Sequence, residues 1–96
     1  MNNNQNQKKQ YQLTIHGEVQ GVFFRKTSLD LATKLQIAGW VKNNTDQTVS
    51  LLIKGSNKDC QKMIEWCKKG PKNANISNID IIEEPASFSN TTFKII

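Results

Sequence analysis

Residues 11–38 read YQLTIHGEVQGVFFRKTSLDLATKLQIA, and within this stretch the apolar period changes from two to 3.6 across a single loop. Tyr11, Leu13 and Ile15 alternate with polar neighbours and stop at Gly17, the pattern of a strand buried on one face. From Phe24 to Ala38 the residues Phe24, Ser28, Leu31, Leu35 and Ala38, flanked by Ala32, recur at helical spacing. Lys26, Asp30, Lys34 and Gln36 fall mostly elsewhere. The stretch therefore predicts a strand, a tight loop and a first helix.

The same alternation of periods continues downstream. Trp40 to Asn43 and Thr48 to Lys54 predict two strands joined by Asn44-Thr45-Asp46-Gln47, a length suited to a hairpin. Gly55, Ser56 and Asn57 break the chain, and Ser56 and Asn57 are cap candidates for a second helix from Lys58 to Lys69. Cys60, Met63, Ile64 and Cys67 share its apolar side, and Gly70-Pro71 stops it. Ile76 to Ile82 predicts a fourth strand; after a polar stretch from Pro85 to Thr91, Phe93-Lys94-Ile95-Ile96 predicts a last one. The order β-α-β-β-α-β plus a terminal strand fits an α+β, ferredoxin-like sandwich, an antiparallel sheet with two helices on one face. That arrangement satisfies the right-handed crossover rule and buries both helical stripes.

Composition limits the function classes. Ninety-six residues make one domain, and MNNNQNQKKQ carries no apolar residue beyond the initiating Met. This predicts a disordered polar tail over 1–10 and a folded domain over 11–96. Cys60 and Cys67 lie about 10.5 Å apart along a helix axis, too far for a disulfide, and read as reduced residues on a buried stripe. There is no apolar run of signal-peptide or membrane-spanning length, so a cytoplasmic protein is expected. The net charge of +5 fits an anionic substrate, nucleic acid or plain solubility, and solubility is the default because lysines cluster in the tail and around the second helix.

The junction His16-Gly17-Glu18-Val19-Gln20-Gly21-Val22-Phe23-Phe24-Arg25 is where chemistry is expected. Glycines let successive backbone N–H groups turn toward one point, and a helix N-terminus adds unpaired donors and the positive end of its dipole. Arg25 in the first helical turn opposes that dipole at about 0.3–1 kcal/mol unless an anion binds there. An isolated G-x-x-x-G would be better read as an ordinary turn, and no Lys-Ser/Thr ending supports a nucleotide triphosphate. The specificity lies in the whole string.

That string resembles the first signature of the acylphosphatase family, V-x-G-x-V-Q-G-V-x-F-R, met from Ile15 to Arg25 with Ile in place of the first Val. Gly39 to Val49 (GWVKNNTDQTV), with Gly55 beyond it, is similar to the second, G-W-V-K-N-x-x-x-G-x-V, with Gln47 in place of glycine. The resemblance covers residues 11–96 and implies metal-independent hydrolysis of the carboxyl-phosphate bond of acyl phosphates to carboxylate and inorganic phosphate. It implies that Arg25 binds the phosphoryl oxygens with the amides of Gln20, Gly21, Val22, Phe23 and Phe24, while Asn43 positions the attacking water. No cofactor is implied. A monomer acting on a small molecule, with neither nucleic acid nor membrane as partner, is expected.

Three departures carry expectations of their own. Gln47 is placed where a hairpin needs positive φ or another turn type. Gln36 stands at a usual glycine position and is expected to extend or reshape the first helix's end. Glu18 stands at an often basic loop position and would repel phosphate unless it points to solvent. Other readings are weaker. His16 lacks a recognisable carboxylate partner for a phosphohistidine role, and the cysteines lack the loop and arginine of a cysteine phosphatase. One His, two helical Cys and scattered carboxylates make no metal constellation. An RNA-binding domain of the same β-α-β-β-α-β order would display stacking aromatics on its third strand, and TVSLLIK has none. A module acting on a partner's carboxyl phosphate is the remaining alternative.

Overall fold

The computed structural model describes residues 7–87 and 92–96. Among them β1 (Lys8–Glu18), α1 (Phe24–Leu35), β2 (Ala38–Asn43), β3 (Val49–Ser56), α2 (Asn57–Lys69), β4 (Asn75–Glu84) and β5 (Phe93–Ile95) follow in chain order. The strands form one sheet in the order β4-β1-β3-β2-β5. β1 is antiparallel to both β3 and β4, and β2 is antiparallel to β3, the pairing expected of the β-α-β-β-α-β unit. Beyond that unit, β5 adds to the far edge parallel to β2, so the complete sheet is mixed.

Alternation decides which face is buried. Leu13, Ile15, Val41, Val49, Leu51 and Ile53 are wholly inaccessible, and they form one core with Phe24 and Ala32 of α1 and Cys60, Met63, Ile64 and Cys67 of α2. At about 25 cal/mol per Å² of buried apolar surface, this shared core is the main stabilising term. The rings of Phe24 and Trp66, with centroids 5.0 Å apart, join the start of α1 to α2. Burial raises the Cys60 thiol to about 11 and pushes Cys67 up as well, so both stay protonated and unreactive at neutral pH.

Several boundaries differ from expectation. The polar tail expected over 1–10 gives way to strand at Lys8, because Lys8, Lys9 and Gln10 pair with Ser56, Gly55 and Lys54; residues 1–6 lie outside the described residues. The same pairing carries β3 through Gly55, where a break was expected. Ser56 then serves directly as the α2 cap: its Oγ accepts from the Asp59 N–H at 3.1 Å and donates to the Asp59 carboxylate at 3.0 Å. Residues 88–91 of the expected polar stretch also lie outside the described residues.

The end of α1 is corrected too. Ala38 belongs to β2, and α1 ends at Leu35 because Gln36 takes the left-handed conformation, φ 59°. Its N–H donates to Thr33 O at 3.2 Å, and the Ile37 N–H donates to Ala32 O at 2.8 Å, the paired closure that usually ends on glycine. Gln36 therefore neither extends nor reshapes the helix; it bears the strain. Replacing it should stabilise the fold: the left-handed penalty of about 1–2 kcal/mol exceeds the chain-entropy cost of glycine, about 0.5–1 kcal/mol. Gln36→Gly is expected to raise the urea midpoint by the equivalent of about 0.5–1 kcal/mol. In the native protein at pH 8, a thiol-disulfide reagent should label neither cysteine until denaturant opens the core.

Candidate active site

β1 reaches the site through a bulge between His16 and Gly17. Gly17 has φ 126°, and a Cβ there would stand 2.0 Å from the Asn75 carbonyl oxygen, so no side chain fits where the strand turns. Glu18 is exposed, and its carboxylate accepts a long 3.4 Å hydrogen bond from Asn75 Nδ2 on β4, which draws it away from the loop that follows. Val19 is buried and anchors that loop from below.

Gln20 ties the loop to the neighbouring hairpin. Its Nε2 donates to Asn44 O at 2.8 Å and to Thr48 O at 2.9 Å, using both amide hydrogens. Gly21 and Phe23, on either side of Val22, then adopt left-handed backbone, φ 74° and 64°. Such alternation concentrates N–H groups into an anion-binding concavity. It also separates two adjacent aromatics: Phe24 goes into the core at 2% exposure, while Phe23 is left 77% exposed. Of Phe24 only the backbone remains for a ligand, and Val22 is partly buried against the core.

α1 starts with no capping side chain and no acidic residue in its first turn. The Thr27 N–H makes the first helical bond, to Phe23 O at 3.0 Å, which leaves the preceding amides without intrahelical acceptors. Arg25 is exposed and takes part in no ion pair among the described residues, whereas Lys26 is held by Asp30 at 2.7 Å. A surface hollow of about 330 Å³ is lined by Gly21, Phe23, Arg25, Lys26 and Ile95. Loop, guanidinium and the end of β5 thus share one opening.

Asn43 is the last residue of β2, next to the Asn44 carbonyl that Gln20 grips. Its Oδ1 is buried without a hydrogen-bond partner among the described residues. A buried carbonyl oxygen left this way is unfavourable by about 1–3 kcal/mol unless a ligand or water donates to it. The adjoining hairpin is stiff despite Gln47, which does sit at positive φ, 76°. Asn44 Nδ2 donates to Thr48 Oγ1 at 2.8 Å and to Ser50 Oγ at 2.7 Å, and the Thr48 N–H donates to Asp46 Oδ1 at 3.1 Å. Hydrogen bonds from the Thr48 hydroxyl and then its N–H hold the Asp46 carboxyl below its ordinary value. These bonds offset the strain at Gln47 and keep Asn43 in place.

Other sequence candidates lie elsewhere. His16 does have a carboxylate partner, Asp80 Oδ2 of β4 at 2.8 Å, which sequence distance concealed. On the face away from the helices β3 presents Ser50, Leu52 and Lys54 and no aromatic; on β2 the Trp40 ring lies under Lys42 Nζ at 5.3 Å. Among the described residues no three His, Cys, Asp or Glu gather as metal ligands, and no helix is long and apolar enough to cross a membrane.

The acylphosphatase family model matches residues 11–95, almost all of the described chain. The chain belongs to the acylphosphatase family. It is 40% identical over 74 residues to an acylphosphatase of Acidovorax sp. (strain JS42), covering 77% of this chain and 76% of that one. It is similar in structure to an acylphosphatase from Bacillus subtilis, with TM-score 0.88, 33% identity and coverage of 92% and 98%. It also resembles part of full-length HypF in a phosphate- and nucleotide-bound form, with TM-score 0.84 and 31% identity over 94% of this chain and 12% of that one. Acylphosphatases are hydrolases, and this chain is an enzyme of that class.

Sequence reading singled out Gln20 for its amide alone, and the strut made by its side chain was missed. The glutamine within the first signature was the available signal; its partners, 24 and 28 residues away, appear only in the fold. Gln20→Ala should lower stability by about 1–2 kcal/mol in urea titration, the scale of losing two hydrogen bonds to partly buried carbonyls. It should also weaken competitive inhibition by inorganic phosphate, since the loop loses its tie to the hairpin.

Proposed function

We propose that the protein hydrolyses acyl phosphates to a carboxylate and inorganic phosphate, with the phosphoryl group held at residues 20–25 and the attacking water at Asn43. The observation that carries this reading is Arg25, a guanidinium with no ion pair among the described residues, at a helix N-terminus without a side-chain cap and lining the same hollow as Gly21. A cation there is unfavourable in the empty protein and becomes favourable once a dianionic phosphoryl group bridges it to the loop amides.

In this mechanism the guanidinium contacts two non-bridging oxygens in fork geometry, and the amides of Gln20, Gly21, Val22, Phe23 and Phe24 receive the rest of the charge. Water attacks phosphorus in line with the carboxylate leaving group: the new P–O bond forms as the acyl C–O–P bridge breaks at phosphorus, and the carboxylate departs with the bonding pair. A carboxylate needs no general acid to leave. The Asn43 Oδ1 accepts a hydrogen bond from the water and fixes its direction, while the water's proton passes to a phosphoryl oxygen. Transfer through a loose transition state depends on positioning and charge stabilisation more than on a strong base, and Arg and Asn supply these without a metal.

Benzoyl phosphate hydrolysis, followed by ultraviolet absorbance, tests the assignment. Arg25→Ala should lower kcat/KM by about 10²–10³-fold, the scale of removing one preorganised charge-stabilising donor, and Arg25→Lys should recover little because an ammonium lacks the fork. Asn43→Ala should lower kcat by a comparable factor and leave inhibition by inorganic phosphate unchanged. Full activity in the Arg25 and Asn43 variants would remove the basis of the proposal.

A further inference from the structure

We infer that Phe23 and Ile95 form a subsite for the acyl group, which makes the enzyme selective for acyl phosphates with apolar, preferably aromatic, acyl moieties. The inference rests on the acyl-phosphate reading above and deepens it.

Phe23 is placed where neither local conformation nor burial favours a phenylalanine. Its backbone is left-handed, φ 64°, a conformation better suited to Gly or Asn, and its ring is 77% exposed. A folding role is filled by its neighbour Phe24, whose ring is buried against Trp66. Ile95, on β5, is likewise 39% exposed although it lies opposite the fully buried Val41. The two apolar side chains come together only in the hollow that contains Gly21 and Arg25. A phosphoryl group held by Gly21 and Arg25 would sit at one end of this hollow, with its acyl substituent toward Phe23 and Ile95, which line the same hollow.

Its volume and charge define the occupant. About 330 Å³ lies at the lower end of small-ligand pockets, and with the phosphoryl group at its Gly21 and Arg25 end the remainder suits a single ring and not a long chain or a nucleotide. The second cation on its rim, Lys26, is neutralised by Asp30 at 2.7 Å. Arg25 is committed to the phosphoryl group, so a carboxylate on the acyl side would find no further unpaired cation among the described residues that line the hollow, whereas a planar apolar group would cover Phe23 and Ile95.

The test compares kcat/KM for benzoyl phosphate and acetyl phosphate in the wild type, Phe23→Ala and Ile95→Ala. The wild type is expected to prefer benzoyl phosphate, and each variant should reduce the benzoyl-to-acetyl ratio by roughly three- to ten-fold, the scale of one aromatic or aliphatic contact. A ratio unchanged in both variants, or a parallel loss on both substrates, overturns the subsite while leaving the hydrolytic reading intact. A wild type that hydrolyses neither substrate overturns the hydrolytic reading itself, and the subsite with it.

Discussion

The burial of Phe24 against Trp66 is the constraint on which the site depends. With that ring in the core, α1 starts at a fixed height above the sheet, and the chain arriving from β1 must turn sharply to meet it. The turn is made by left-handed backbone at Gly21 and Phe23, and the first turn of α1 starts without a capping side chain, so its first amides have no intrahelical acceptors. The proposed anion seat would then follow from core packing: the contact that stabilises the fold also fixes where the first amides of α1 stand. A smaller residue at position 24 would loosen both together.

A second element gives the loop its counterpart. Gln20 joins it to the β2–β3 hairpin, and the hairpin keeps its shape through the bonds among Asn44, Asp46, Thr48 and Ser50. That network permits a non-glycine residue at the left-handed position 47. Strain of about 1–2 kcal/mol is tolerable where several hydrogen bonds, each contributing about 0.5–1.5 kcal/mol, over-determine the turn. At Gln36 the paired helix closure plays the same part.

Part of the basic charge is neutralised in surface ion pairs. Lys9, Lys26 and Lys68 are ion-paired at the surface with Glu83, Asp30 and Glu65. Such exposed pairs contribute little to stability, about 0–1 kcal/mol each, and of the three lysines only Lys26 lines the hollow beside Arg25. What distinguishes Arg25 is that it takes part in no ion pair among the described residues and stands in the first turn of a helix with no capping side chain.

Periodicity alone determined the strand and helix order, because an alternating run such as Tyr11, Leu13, Ile15 and a 3.6-residue run such as Cys60, Met63, Ile64, Cys67 each bury one face in only one way. The two signatures identified the family, which the family model matches over residues 11–95, and they singled out residues 20–25 and Asn43 for the proposed site. Boundaries set by partners were not legible. Lys8 to Gln10 look like tail until β3 is beside them, and Gln36 looks helical until Ile37 closes back on Ala32. The tertiary structure alone decided that Gln20 reaches Asn44 and Thr48, that His16 meets Asp80, and that Phe23 faces outward beside Ile95. Those contacts join residues 24 to 72 positions apart, and no local propensity encodes them; they exist only once the shared core has fixed where each element lies.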